Sequence, residues 1–187
     1  MNLNEWFAKG LTYEQYKENM TVNREEMETI YQDFSLKTEE TSLLQKVAQQ
    51  QLNVIVITED WCGDALLNNP ILMKIAEAGK MDVRFILRDQ NLELMDQYLT
   101  NGTARSIPIF IFINQAGEEV AVWGPRAPKV QEMVDKMKSS LPPSDSPDFK
   151  EKQSALFKQI KDLYVNDASL RDIVSDSILE KLKEKVL

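Results

Sequence analysis

The spacing of apolar residues changes character several times along the chain, and each change predicts an element. In "NREEMETIYQDF", Met27, Ile30, Tyr31 and Phe34 recur every three or four residues, which puts them on one face of a helix. Asn23, with Glu26 three residues on, reads as a capping-box start for that helix. A further helix is expected from about Thr38 through Leu43, Leu44 and Val47. At "LNVIVIT" (52–58) the polar interruptions stop, and a short β-branched run without alternation reads as a strand buried on both faces. Helical spacing resumes at Leu67, Ile71, Ile75 and Ala78, closed by Gly79. "DVRFIL" (82–87) reads as a second strand, followed by a helix near 90–100 that ends at "NG". "PIFIFIN" (108–114), the turn "QAGE" and "EVAVWG" (119–124) predict a hairpin, and a helix from about Pro128 to Ser139 follows it. The order β-α-β-α-β-β-α predicts an α/β fold: a parallel βαβ unit, then an antiparallel hairpin, in a mixed four-stranded sheet with flanking helices.

The pattern also divides the chain. Residues 1–49 read as an N-terminal helical extension, 50–140 as the α/β domain, and 141–187 as a linker followed by a helical hairpin. "LPPSDSPD" (141–148) is the linker by composition. Ser146-Pro147-Asp148 suits a helix start with the proline inside the first turn. Leu156, Ile160 and Leu163 then form one stripe, and Leu170, Val174, Ile178 and Leu182 another. The acid pairs Glu25-Glu26 and Glu39-Glu40 fall in first turns, where carboxylates favour the helix dipole and need no catalytic role.

Composition narrows the chemistry. The 187 residues suffice for one sizeable core. A formal net charge of −8 repels phosphate backbones, so nucleic acid is not an expected partner. The absence of an 18-residue apolar run argues against a membrane-spanning helix, and the first residues lack the pattern of a secretion signal. There is no histidine, which removes Ser-His-Asp and Cys-His catalysis and imidazole zinc sites. Six glycines leave no Gly-rich phosphate cradle, and no calcium-loop motif is present, so neither cofactor nor metal is expected. A single cysteine cannot form an internal disulfide, which suits a reducing compartment and predicts a cytoplasmic location.

That cysteine is the chemical lead. It lies in "TEDWCGDA" (58–65), between the end of a predicted strand and the start of a predicted helix. A lone cysteine is ordinarily a buried, inert thiol. At a helix N-terminus, however, unpaired N–H groups and the dipole favour a thiolate. Asp64, with Glu59 and Asp60, opposes this. The balance predicts a thiol moderately more acidic than free cysteine. Trp123 reads as core, whereas Arg105 and Arg126 read as solvated.

Further landmarks fall in order around it. "EDWCGDA" carries Trp61 before Cys62, Pro70 lies eight residues on, "GTARSIP" leads to Ile107-Pro108, and Gly117 and Gly124 mark the hairpin turn and its end. Over about 50–140 this resembles the thioredoxin superfamily, and the wider "WCGD" and "WGPR" segments are similar to a branch of bacterial thioredoxin-like proteins. The resemblance implies that Cys62 is the attacking thiol and that the Ile107–Pro108 bond is cis. It further implies a substrate groove made by Trp61, Gly63, Asp64, Ile107 and Pro108. The chain departs from the family pattern at three positions. Ala65 replaces the resolving cysteine, Val56 stands where a carboxylate is usually buried, and Asp64 stands where proline is usual. A monothiol thiol-disulfide oxidoreductase is therefore expected, acting on protein disulfides or low-molecular-weight thiols and needing an external thiol for release. Two alternatives stay open: a non-catalytic binding module, or a dithiol enzyme whose resolving cysteine has been replaced by alanine.

Overall fold

In the computed structural model, which describes residues 2–187, four strands form one sheet in the order β2-β1-β3-β4. They are β1 (Asn53–Thr58), β2 (Asp82–Leu87), β3 (Ile109–Ile113) and β4 (Glu119–Trp123). β1 and β2 run parallel, with Asn53 opposite Asp82 and Thr58 opposite Leu87. β1–β3 and β3–β4 are antiparallel, the latter pair with an irregularity between Phe112 and Ile113.

The uninterrupted apolar runs reflect a sheet covered on both faces. Val54, Val56, Phe85, Phe110 and Phe112 enter the larger core, while Ile55, Ile57, Ile86, Ile109 and Ile111 enter a smaller one that also holds Cys62 and Ala65. Alternate side chains do point to opposite faces, but both faces are dry, so no polar residue marks the period.

Four short helices precede the sheet: α1 (Leu3–Lys9), α2 (Tyr13–Asn19), α3 (Arg24–Asp33) and α4 (Thr38–Ala48). The crossover helix α5 (Gly63–Ala78) joins β1 to β2. It is buried well beyond the predicted stripe, at Leu66, Leu67, Ile71, Leu72, Ile75 and Ala76, because α3, α8 (Phe149–Asn166) and α9 (Ala168–Val186) pack on its outer side. α6 (Leu92–Met95) and α7 (Pro128–Lys138) complete the set. α8 and α9 form the predicted hairpin, with Leu170, Val174, Ile178 and Leu182 all buried against the body. Trp123 is core: it stacks on Phe110, and its Nε1 donates to Ser177 Oγ on α9 at 2.9 Å.

Several local expectations are corrected. Asn23 precedes α3 in a left-handed conformation (φ 63°) and makes no capping bond. Its Nδ2 instead donates to the Asp60 carbonyl at 2.8 Å, and Glu26 pairs with Lys161 at 2.8 Å. The helix expected near 90–100 is only a 3-10 turn (Arg88–Gln90) and the four residues of α6. Asn91 Nδ2 bonds back to the Leu87 carbonyl, and positive φ at Asn101 and Gly102 turns the chain. Pro147 lies ahead of α8 rather than in its first turn. Glu40, read as a first-turn acid that favours the helix dipole, is also buried, accepts a 2.9 Å bond from Ser175 Oγ, and so ties α4 to α9.

Candidate functional site

β1 ends at Thr58, and the loop from Glu59 delivers Cys62 as the N-cap of α5, with extended backbone (φ −79°, ψ 120°). The Cys62 N–H donates to the Glu59 carbonyl at 3.3 Å, which closes the turn. Its side chain is turned inward, 8% exposed, and Sγ donates to the Ile107 carbonyl at 3.4 Å. The Ile107–Pro108 peptide is cis. The Gly124–Pro125 peptide is cis as well, and here the backbone demands glycine: Gly124 has φ 123°, and a Cβ would lie 2.3 Å from the Pro108 carbonyl oxygen. The end of β4 is thereby held tightly against the segment that faces the thiol.

The acids of the motif behave differently from one another. Asp60 turns away and accepts from Thr21 N (2.7 Å), Thr21 Oγ1 (3.0 Å) and Val22 N (3.4 Å). Glu59 is buried, its Oε1 accepts from Asp89 N at 2.8 Å, and burial pushes its carboxyl up. Asp64 is the acid that the thiol feels. Its Oδ1 accepts from Arg126 Nε at 2.7 Å and from the Tyr164 hydroxyl at 2.8 Å, and Oδ2 lies 2.7 Å from the second Arg126 nitrogen.

The expectation of an acidic thiol is overturned. Burial pushes the Cys62 thiol up to about 11, and the Asp64 charge adds to the rise. The N–H groups of Ala65 and Asp64 at the helix start and the Arg126 charge act the other way, and they lose. A charge at a helix N-terminus gains roughly 0.3–1 kcal/mol. Taking a thiolate out of water costs several times that. The geometry agrees, because only a protonated sulfur can donate to the Ile107 carbonyl.

Ala65 is buried in the same small core as Cys62 and Ile107, and Val56 is fully buried among apolar neighbours. Beneath the loop, Thr58 Oγ1 accepts from Asn69 Nδ2 at 3.0 Å, with the Tyr16 hydroxyl 3.5 Å away. Trp61 is half exposed, with the Arg88 guanidinium 4.9 Å from its ring centre. Gly63 begins α5 with open space where a Cβ would stand. Arg105 lies apart from this cluster, paired with Asp96 at 2.7 Å. Among the described residues, no group of three or more Cys, Asp or Glu side chains could hold a metal ion, and no helix is long and apolar enough to cross a membrane.

A family model described as thioredoxin matches residues 10–138. The chain belongs to the thioredoxin family. That match takes in most of the helical segment ahead of β1. Two solved structures are similar in fold over nearly the whole length. A protein of unknown function from Pseudomonas aeruginosa is 15% identical, with a TM-score of 0.69 and coverage of 98% of each chain. An HIV epitope scaffold is 14% identical, with a TM-score of 0.70 over 98% of this chain and 99% of the other. No curated protein sequence matches the chain. The thioredoxin-family landmarks Trp61, Cys62, Gly63, Asp64, Ile107 and Pro108 were readable in sequence. Arg126 and Tyr164 were not: Arg126 read as solvated, and Tyr164 sits on the predicted Leu156–Ile160 stripe with nothing local to name its partner. Together with the Cys62 loop, α7 and α8 line a cavity of about 560 Å³ that no local residue pattern announces.

Proposed function

We propose that this thioredoxin-family protein exchanges thiols and disulfides through Cys62 alone. In this reading it forms mixed disulfides by attacking protein disulfides or the disulfides of small thiols, and an external thiol releases them. The observation that carries the reading is the Cys62 sulfur 3.4 Å from the Ile107 carbonyl, beside the cis Pro108. An extended chain pairing with the Ile107 backbone, as in strand addition, brings its own sulfur to this point. Its N–H takes the Ile107 carbonyl and so removes the acceptor that holds the thiol proton. The Cys62 sulfur then gives up that proton and attacks one sulfur of R–S–S–R′. The Cys62–S–S–R bond forms, and R′S⁻ leaves and takes the proton. Ala65 offers no sulfur to expel R, so release waits for a second thiol in a reducing cytoplasm.

The test is reaction of the reduced protein with a small neutral disulfide, followed by intact mass. We expect one adduct, on Cys62, at a rate rising about tenfold per pH unit from neutrality towards 11, as the thiolate fraction does. A second reading, a peptide-binding module, is favoured by the buried protonated thiol together with Ala65 and Val56. It takes over if Cys62 forms no adduct at any pH while Cys62→Ser retains the binding partners of the wild type.

A further inference from the structure

We propose that the cavity between the Cys62 loop, α7 and α8 seats a small anionic thiol, or its disulfide, carrying a carboxylate on an apolar body. This rests on the monothiol reading of Cys62 and names the external thiol which that reading requires. Three observations support it. In a chain of net charge −8, the lining carries the cations Arg126, Lys138, Lys158 and Lys161 against the single carboxylate Asp64. Arg126 is held by Asp64, and Lys161 by Glu26. Among the described residues, Lys138 and Lys158 have no carboxylate partner, so they offer their charge to a ligand.

The second observation is apolar surface. Large hydrophobic side chains are seldom exposed among the described residues, yet Trp61 and Phe157 are about half exposed and both line this cavity. Val134 and Ile160 continue the apolar wall. The third is size and place. A volume of about 560 Å³ suits a small molecule. Cys62 itself lines it, so a ligand sulfur can reach a disulfide formed there. The step balances as an exchange. The bound thiolate RS⁻ attacks the R′ sulfur of Cys62–S–S–R′, and an R–S–S–R′ bond forms. The bond to Cys62 breaks, and the Cys62 thiolate takes a proton from solvent.

The experiment compares rates of Cys62 adduct formation with three reagents: dithiobis-nitrobenzoate (anionic, aromatic), dithiodipyridine (neutral, aromatic) and cystamine (cationic). In the double variant Lys138→Glu/Lys158→Glu, the anionic reagent should slow about tenfold, equal to about 1.4 kcal/mol. Dithiodipyridine should be unchanged and cystamine faster. Equal changes for all three reagents, or no change for any, overturn the proposal. A second measurement does not depend on thiol reactivity. Nitrobenzoate should quench the fluorescence of Cys62→Ser protein saturably, and the double charge reversal should abolish this. Saturable, charge-dependent quenching from a protein whose Cys62 reacts with no reagent would sink the monothiol reading and leave the site standing. Absence of quenching overturns the site.

Discussion

On one side of Cys62 lie Ile107, Ile109, Leu94 and Met95, a dry apolar floor. On the other lie Arg126, Tyr164 and the lysines of α7 and α8 around an open cavity. The first side holds the thiol proton, through burial and through the Ile107 carbonyl. The second brings charge, but the charge next to the sulfur is already satisfied, because Arg126 and Tyr164 bind Asp64 and not sulfur. A helix terminus and a nearby guanidinium therefore do not guarantee an acidic thiol. The dielectric of the dry side decides.

The change with the largest expected effect asks which side performs release. Ala65 faces the dry core, so Ala65→Cys places a second sulfur there. It should let a Cys62 mixed disulfide resolve with no added thiol, where the wild type resolves none, read as release of a labelled thiol. Release that still requires an added thiol would mean that the dry side cannot admit an attacking sulfur. Overpacking by one atom should lower stability by about 1 kcal/mol, the low end for such insertions.

Next comes the charged side. Arg126→Met leaves the mostly buried Asp64 carboxylate with only the Tyr164 hydroxyl. Breaking a buried pair costs about 3–5 kcal/mol, and the partial exposure of Arg126 puts this case near 3. Urea unfolding measures it. The Cys62 titration should move further up, since the Arg126 charge is one of the influences holding it down.

What the sequence revealed and what it hid follow the same divide. The strands were legible because Val54 to Ile57 and Ile109 to Ile113 are β-branched or aromatic runs whose burial needs no partner to be named. The α9 stripe was legible for a similar reason, since Leu170, Val174, Ile178 and Leu182 state a face. Asn23 was misread because a distant carbonyl, that of Asp60, competes with its local cap. The pairing of Asp64 with Arg126 and Tyr164 joins residues separated by 62 and 100 positions. No local pattern encodes it. The sign of the thiol shift was missed because the helix start is a sequence property, whereas burial depends on β3 and α6 closing over it.

A smaller effect isolates one bond. Tyr164→Phe removes the hydroxyl that reaches Asp64 while Arg126 stays in place. Hydrogen bonds to charged groups are worth about 1.5–3 kcal/mol, and the remaining bidentate partner should keep this loss near 1.5. Thermal unfolding of both single variants and the double variant with Arg126→Met should show non-additivity, because both act on one carboxylate.

The dry side can be read through pH. The Cys62 thiol titrates near 11 in the folded protein against 9.0 for an ordinary thiol. Its folded value is raised, so its contribution is fully present below about pH 9 and lost as pH rises towards 11. The stability of the wild type minus that of Cys62→Ala should therefore fall by about 1.4 kcal/mol per pH unit across that window. A difference that stays flat would mean that the thiol is not held protonated by the fold. Taking the difference removes the buried Tyr16, which is raised to about 12 and is common to both proteins.

The smallest expected effect separates a wall built for folding from one built for a ligand. Phe157 is about half exposed, and the Lys138 ammonium lies 6.0 Å from its ring centre. A side chain in that state contributes little to the fold, so Phe157→Ser should change stability by no more than about 0.5 kcal/mol. Ile160, one turn on along α8, is buried and belongs to the core. Ile160→Ala should instead cost about 2–3 kcal/mol, which calibrates the measurement and fixes the fold as the common reference. If Phe157→Ser proves as costly as Ile160→Ala, the ring is part of the packing that holds α8 down, and the open side of Cys62 is structural. If it is nearly neutral in stability yet slows Cys62 adduct formation with aromatic disulfides and not with cystamine, the ring is there for what enters the cavity.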